Sequence, residues 1–217
     1  MPRADARSDA TSLTQSTNGH DVSRAEKLTK RKYFFRVSSE ERTTMKKDIF
    51  NNAFWKSRLD NATELRESVF RTSKQNWDAV WEDHRRIIGE NLPALFFDKP
   101  VLDAGCGYGR LSEFFLPHAY LGIDQSPDLI AKARECFPGK YFAVADLRNL
   151  PYQDNYFSWA ICISIQIMVT ENAGYLEWEK IQNELLRVTT DGILCLEYGE
   201  GDTNTTSSTY SIVRKNK

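Results

Sequence analysis

Short apolar runs alternate with amphipathic stretches from Pro100 onward. The runs are 101–102, 120–123, 141–144, 159–163 and 193–196. The stretches between them with helical spacing of apolar residues are 109–116, 127–137 and 175–189. Ser126, Pro127 and Asp128 open the second stretch and are typical of a helix N-terminus. Strands that alternate with helices predict an α/β domain with a doubly wound, mostly parallel sheet.

Two helices are predicted before this sheet. Ser38 and Glu41 have the spacing of a capping box, and Met45, Ile49 and Ala53 follow at intervals of four residues. A second helix is predicted over 74–88, with its apolar residues and His84 on one face. We therefore expect residues 1–37 to be a tail, 38–98 to form a helical cap or lid, and 99–217 to form the sheet domain.

The N-terminal tail is polar and basic. Residues 1–47 contain 11 Lys and Arg against 6 Asp and Glu, although the whole chain has a net charge of −1. Residues 1–30 have too few large apolar groups to offset the entropy of ordering, so a disordered tail over 1–37 is predicted. The charge suits either a solvated tail or docking of nucleic acid or an anionic membrane surface. No motif of a nucleic-acid-binding module accompanies it.

Composition favours an intracellular protein. No stretch approaches the roughly 18 consecutive apolar residues of a membrane span. The four cysteines are widely spaced and form no disulfide or metal-binding pattern. We expect a cytoplasmic location and no bound metal, with a mitochondrial presequence as the open alternative. The oligomeric state is not indicated.

The most distinctive motif follows the first predicted strand. Asp103 precedes Gly105, Gly107 and Gly109, in a segment that reads VLDAGCGYGR. Glycines allow a tight turn and close approach of the backbone to a ligand, and in parallel sheets ligands bind at the carboxyl ends of the strands. The spacing G-x-G-x-G differs from the dinucleotide fingerprint G-x-G-x-x-G. An acid at the entry of the loop suits a ligand with an ammonium group and would repel a pyrophosphate.

Two more acids end the next two strands. Asp124 lies 19 residues after Gly105 and is placed to accept hydrogen bonds from both hydroxyls of an adenosine ribose. Asp146 lies 22 residues further on and can accept from an adenine exocyclic amine, while Leu147 packs against the ring. Each acid alone is also explained as a loop or capping residue. Three acids at successive strand ends favour a nucleoside-containing ligand.

Residues from about 100 to 198 resemble the class I, Rossmann-like methyltransferases that depend on S-adenosylmethionine (SAM). The group that includes quinone-biosynthesis and other small-molecule enzymes is the most similar. The matching segments are VLDAGCGYGRL, LGIDQSPDLIAKAR, ADLRNLPYQDNYFSWAICI and ELLRVTTDGILCLEY. The resemblance implies SAM as cofactor, held by Asp103, Gly105, Gly107, Asp124, Gln125, Asp146 and Leu147.

The chain departs from the family pattern in two places. The family usually has an Asp at the position of Ser158, and it continues beyond the fifth strand with a helix and an antiparallel hairpin. Only 19 residues follow Tyr198 here, with 210–213 as the best candidate for one more strand. We therefore expect a C-terminal end that is shortened relative to the family.

No residue is singled out as the catalytic group. Ser164 and Gln166 follow the fourth predicted strand, where they could hydrogen-bond a methyl acceptor or satisfy local backbone groups. His84 could approach the acceptor if its helix covers the site, although a structural role on the apolar face is favoured. Methyl transfer from SAM needs a dedicated base only when the acceptor is protonated at the working pH.

Three functions therefore stay open. The first is a methyltransferase acting on a small-molecule or peptide acceptor. The second is an RNA or protein methyltransferase that docks its substrate through the basic N-terminal segment. The third is a non-catalytic scaffold with a methyltransferase fold.

Overall fold

A computed structural model describes residues 47–69, 77–92, 99–198 and 208–215, all within the unit formed by residues 45–217. One six-stranded sheet has the order β3-β2-β1-β4-β5-β6. The strands are β1 (Val101–Ala104), β2 (Tyr120–Asp124), β3 (Phe142–Val144), β4 (Phe157–Ile163), β5 (Thr189–Tyr198) and β6 (Ser208–Arg214). The helices are α1 (Asn52–Asp60), α2 (Trp77–Asn91), α3 (Pro127–Cys136), α4 (Ile165–Asn172) and α5 (Tyr175–Val188).

The sheet topology confirms the predicted α/β class. The first five strands pair in parallel, and their order reverses between β1 and β4, where a doubly wound sheet has its ligand crevice. β6 returns antiparallel to β5, with Leu196 opposite Tyr210 and Ile193 opposite Val213. The single extra strand predicted over 210–213 is therefore confirmed.

The core has one layer on each face of the sheet, because neighbouring side chains of a strand point to opposite faces. Leu102 and Ala104 pack on one face against the apolar stripe of α5, which includes Trp178 and Leu185. The other face is covered by buried residues of α2 and α3. Those residues are Ile87, Ile88, Ile130 and Ala133.

The predicted helix through Ile49 and Ala53 is wrong for the part that the structure describes. Ile49 and Phe50 lie in a turn, and α1 begins only at Asn52, with the Asn51 side chain accepting from the Ala53 N–H as a cap. Ile49 is buried in the core, while Ala53 is exposed. Burial of Ile49 and capping by Asn51 therefore outweigh the four-residue periodicity. Ser38, Glu41 and Met45 lie outside the described residues, as does the predicted disordered tail.

Two further differences concern helices near the sheet. The stretch 109–116 forms a short 3₁₀ helix, Arg110–Phe114, instead of an α-helix. α4 was not predicted, because the apolar residues from Trp159 to Val169 conceal the change from strand to helix at Ser164. α2 confirms the second N-terminal helix from Trp77 onward, with His84 on its buried face. None of the helices in the described ranges is long and apolar enough to cross a membrane.

Candidate cofactor-binding site

The glycine loop turns sharply where β1 ends. Gly105 and Gly107 have φ values of 76° and 57°, in the left-handed region that favours glycine. The backbone N–H groups of Gly105 and Cys106 both donate to the Ile123 carbonyl at 2.8 Å, which ties the loop to the end of β2. A Cβ on Gly105 would lie 2.3 Å from Ile165 Cδ1, and one on Gly107 would lie 2.7 Å from Val69 Cγ1. The left-handed backbone and these short approaches both favour glycine at the two positions, and apolar side chains adjoin them.

Asp124 joins the glycine loop to the loop after β2. Its Oδ2 accepts from the Gly107 N–H at 3.0 Å, and its Oδ1 accepts from the Ser126 N–H at 2.9 Å. The side chain is buried, which raises the pKa of the carboxyl, while the N–H donors of Ser126, Gly107 and Gln125 partly oppose this shift. Each carboxylate oxygen can accept more than one hydrogen bond. The predicted ribose-binding acid thus lies directly beside the predicted glycine loop.

Asp103 faces the layer that contains α2 and α3. Its Oδ2 accepts from the Tyr120 hydroxyl at 2.7 Å, and its side chain is buried within β1. Burial raises the pKa of Asp103 to about 7, against the opposing effects of the Tyr120 hydrogen bond and the nearby Arg110 charge. The carboxyl predicted for the entry of the loop is therefore poised to change its charge near neutral pH.

Arg110 and His84 extend this buried polar cluster, which the sequence did not predict. Arg110 Nη2 lies 3.5 Å from His84 Nδ1, and its guanidinium carbon is 4.4 Å from the centre of the Trp81 ring. Burial lowers the pKa of Arg110 to about 10 and, together with the Arg110 charge, lowers that of His84 to about 3. His84 is 1% exposed, which favours its structural interpretation. The available signals were an Arg directly after Gly109 and a His on an apolar helix face.

Asp146 lies at the more open end of β3. Its carboxylate accepts from Arg148 Nη2 at 2.6 Å and Nε at 2.9 Å, and this pairing lowers the pKa of Asp146. Leu147 is half-buried against the core layer that contains Ile123. The structure therefore places both residues at the carboxyl edge of the sheet, next to the loop that carries Asp124.

The N-terminal segment lies against two of these loops. Gln125 Nε2 donates to the Ile49 carbonyl, which also accepts from Trp55 Nε1 at 2.8 Å. Arg148 places its guanidinium carbon 4.2 Å from the centre of the Phe50 ring. Sequence patterns did not indicate these contacts, because they join residues about 75 to 100 positions apart.

Ser164 and Gln166, the residues predicted to hydrogen-bond a methyl acceptor, lie where β4 ends and α4 begins. Ser164 has a φ of 58°, a left-handed conformation that is uncommon for a residue with a side chain, and its N–H donates to the Leu196 carbonyl at 2.8 Å. Gln166 is half-buried in the first turn of α4. Strained backbone of this kind is often found at functional sites. Among the described residues, no group of three or more His, Cys, Asp or Glu side chains could hold a metal ion.

Comparison with known families identifies the class of this domain. Residues 101–192 match the family model described as a methyltransferase domain. The match begins at β1 and contains the glycine loop, Asp124 and Asp146. Residues 101–192 thus match a methyltransferase domain, as their motifs predicted; the narrower resemblances to class I enzymes and to the quinone-biosynthesis group stay predictions.

Curated relatives share parts of this domain. The chain is 32% identical over 115 residues to a malonyl-[acyl-carrier protein] O-methyltransferase of Buchnera aphidicola, covering 50% of this chain and 43% of that protein. It is 34% identical over 100 residues to a trans-aconitate 2-methyltransferase of Methylobacterium nodulans, covering 40% and 39%. A Bacillus subtilis protein called uncharacterized methyltransferase YodH is 31% identical over 74 residues, covering 31% of this chain and 32% of that protein. The matches thus span less than half the length of these relatives.

Solved structures include similar chains. The PH0226 protein of Pyrococcus horikoshii is 23% identical, with 63% of this chain and 67% of that chain covered and a TM-score of 0.49. A SAM-dependent methyltransferase of Aquifex aeolicus is 17% identical, with 57% and 68% covered and a TM-score of 0.45.

Proposed function

We propose that this protein is a SAM-dependent methyltransferase that acts on a small-molecule or peptide acceptor. The observation that carries the proposal is the hydrogen bond between the Asp124 carboxylate and the Gly107 N–H. It joins an acid at the end of β2 to the glycine-rich loop at the end of β1. A ligand with a ribose and a further polar end would meet both features at once.

The described residues fit SAM by their chemistry. Asp124 would accept from the ribose hydroxyls, and the backbone at Gly105 and Gly107 would approach the cofactor without Cβ atoms in the way. Asp103 would complement the ammonium group through its negative charge. At the adenine end, Gln125 and Leu147 would contact the ring and Asp146 would accept from the exocyclic amine.

SAM, when bound, supplies a methyl group already activated by a sulfonium. The remaining task of the chain is to align an acceptor with that methyl group and to exclude water. We propose Ser164 and Gln166, where β4 meets α4, as the polar residues for this alignment, and Val69 and Ile165 as apolar surface beside the glycine loop. The burial of His84 disfavours it as a proton acceptor for substrate.

A small-molecule acceptor is supported by the name of one relative, a trans-aconitate 2-methyltransferase. Another relative is named malonyl-[acyl-carrier protein] O-methyltransferase, so its substrate is a small acyl group carried by a protein. The basic segment within residues 24–47 keeps an RNA or protein acceptor as the alternative. An RNA acceptor neutralised by several Lys and Arg side chains would bind far more weakly as salt is raised. The affinity for a small acceptor would change little with salt concentration.

Calorimetric titration of the full chain with SAM and with its demethylated product, S-adenosylhomocysteine, tests the proposal. Saturable binding of both is expected, followed by transfer of a labelled methyl group to an acceptor when small carboxylic acids, peptides and RNA are supplied in turn. A folded protein that binds neither ligand would contradict the proposal and favour the non-catalytic scaffold.

A further inference from the structure

The turn before α1 crosses the carboxyl edge of the sheet. Ile49 is buried in the same core layer as Ile123 and Ala145, which belong to β2 and to the loop after β3. Its carbonyl accepts from Gln125 Nε2, in the residue directly after Asp124. The backbone at Ile49 is therefore anchored beside the proposed ribose site.

Phe50, the next residue, reaches the loop after β3. Its ring lies beneath the Arg148 guanidinium at 4.2 Å, and Arg148 holds both carboxylate oxygens of Asp146. Phe50 also packs against the same core layer as Leu147. Two successive residues thus link the loop after β2 to the loop after β3.

We propose that Phe50 forms the outer wall of the adenine pocket, opposite Leu147. This inference rests on the proposed function and deepens it, because a ribose held by Asp124 leaves the attached base between these two loops. Stacking on an aromatic ring stabilises a bound base, and the Ile49 carbonyl held by Gln125 fixes the position of that ring. Phe50 lies outside residues 101–192, which match the family model, so the family motifs do not assign it a role.

Arg148 is part of the same arrangement. An adenine amine that reaches Asp146 shares the carboxylate oxygens with the Arg148 guanidinium. The side chains of Arg148 and Asp146 are 38% and 42% exposed. Each carboxylate oxygen can accept a second hydrogen bond, so the amine can bind Asp146 while Arg148 stays over the Phe50 ring.

The test compares Phe50→Leu with Phe137→Leu, a matched control at another half-buried Phe near the C-terminal end of α3. The full chain is titrated with S-adenosylhomocysteine and with methylthioadenosine, which shares the adenosine part and lacks the amino-acid end. Phe50→Leu should lower the affinity for both ligands by the same factor, about tenfold. Phe137→Leu should leave both affinities unchanged. Unchanged binding by a folded Phe50→Leu protein, or a loss restricted to S-adenosylhomocysteine, would overturn the inference.

Two further measurements cover loss of folding and failure of the proposed function. Phe50→Tyr keeps the ring and should bind both ligands within about twofold of the wild type. Methylthioadenosine should also slow amide hydrogen exchange at residues 49–54 of the wild-type protein. Unchanged exchange there would contradict the position of Phe50 in the wall of the adenine pocket. Wild-type protein that binds neither ligand would overturn the proposed function itself. Equal affinity in the wild type and Phe50→Leu would overturn only this inference.

Discussion

The Tyr120 hydroxyl donates to Asp103 Oδ2 over 2.7 Å and joins two neighbouring strands beneath the glycine loop. Burial raises the pKa of Asp103 to about 7, although the bond stabilises the charged form of the carboxyl and opposes part of that rise. The charge that Asp103 offers to a ligand is therefore controlled by a residue outside the glycine motif.

Replacing Tyr120 with Phe should shift the pH dependence of cofactor binding. In the wild type, affinity for SAM should rise as pH increases through about 7, because Asp103 ionises there and attracts the ammonium group. Tyr120→Phe keeps the ring but removes the donor, so the pKa of Asp103 should rise and the midpoint should move to higher pH. Titrations with SAM across pH 6 to 9 measure the pH midpoint of the change in affinity. The same midpoint in Tyr120→Phe and the wild type would mean that Asp103 does not act on the ligand.

His84 should make the fold sensitive to acid. Its pKa is about 3 in the folded protein, against 6.5 as the ordinary value, so its contribution to stability is complete above pH 6.5 and is lost as pH falls toward 3. When the pH is lowered from 7 to 5, the unfolding free energy should fall in the wild type through protonation of His84 in the unfolded state. In His84→Gln the fall should be smaller by about 1–2 kcal/mol.

Urea unfolding at the two pH values measures this difference. His118→Gln, a substitution at an exposed histidine, provides the matched control and should behave like the wild type. Asp103 is present in all three proteins, so its opposite dependence on pH cancels in the comparison. Equal pH slopes for the wild type and His84→Gln would refute the burial argument.

Two glycine substitutions should change stability in opposite directions. A Cβ on Gly192 would lie 2.2 Å from the Val213 carbonyl oxygen, where the backbones of β5 and β6 approach each other. Gly192→Ala should destabilise the fold by about 2–4 kcal/mol. Gly89 lies inside α2 with no atom near its missing Cβ, so Gly89→Ala should stabilise by about 0.5–1 kcal/mol. Chemical denaturation of both variants measures the two shifts, and a neutral Gly192→Ala would contradict the close pairing.

The sequence predicted the parts of the site that follow local patterns. Gly105, Asp124 and Asp146 were placed at one edge because parallel strands end at the same edge of a sheet. The contacts of Ile49 and Phe50 were missed, since the four-residue spacing around them favours a helix whereas burial draws Ile49 into the core. The proximity of Arg110 and His84 depends on how α2 packs against the sheet, which no local pattern specifies. The left-handed backbone at Ser164 was hidden within a continuous apolar run.

Asp124 is the residue on which the account of the site depends most. Asp124→Asn keeps the size of the side chain and one acceptor oxygen for the loop, but it removes the negative charge offered to the ribose. Asp191→Asn makes the same change at an exposed position near the start of β5, at the opposite end of the sheet.

The most direct measurement is calorimetric titration of S-adenosylhomocysteine into the wild type and these two variants, with thermal unfolding recorded for each. The account predicts saturable binding by the wild type and Asp191→Asn, and affinity reduced by about tenfold to a hundredfold in a folded Asp124→Asn protein. Equal affinity in all three proteins, or no binding by a folded wild type, would contradict the assignment of this edge of the sheet as the cofactor site.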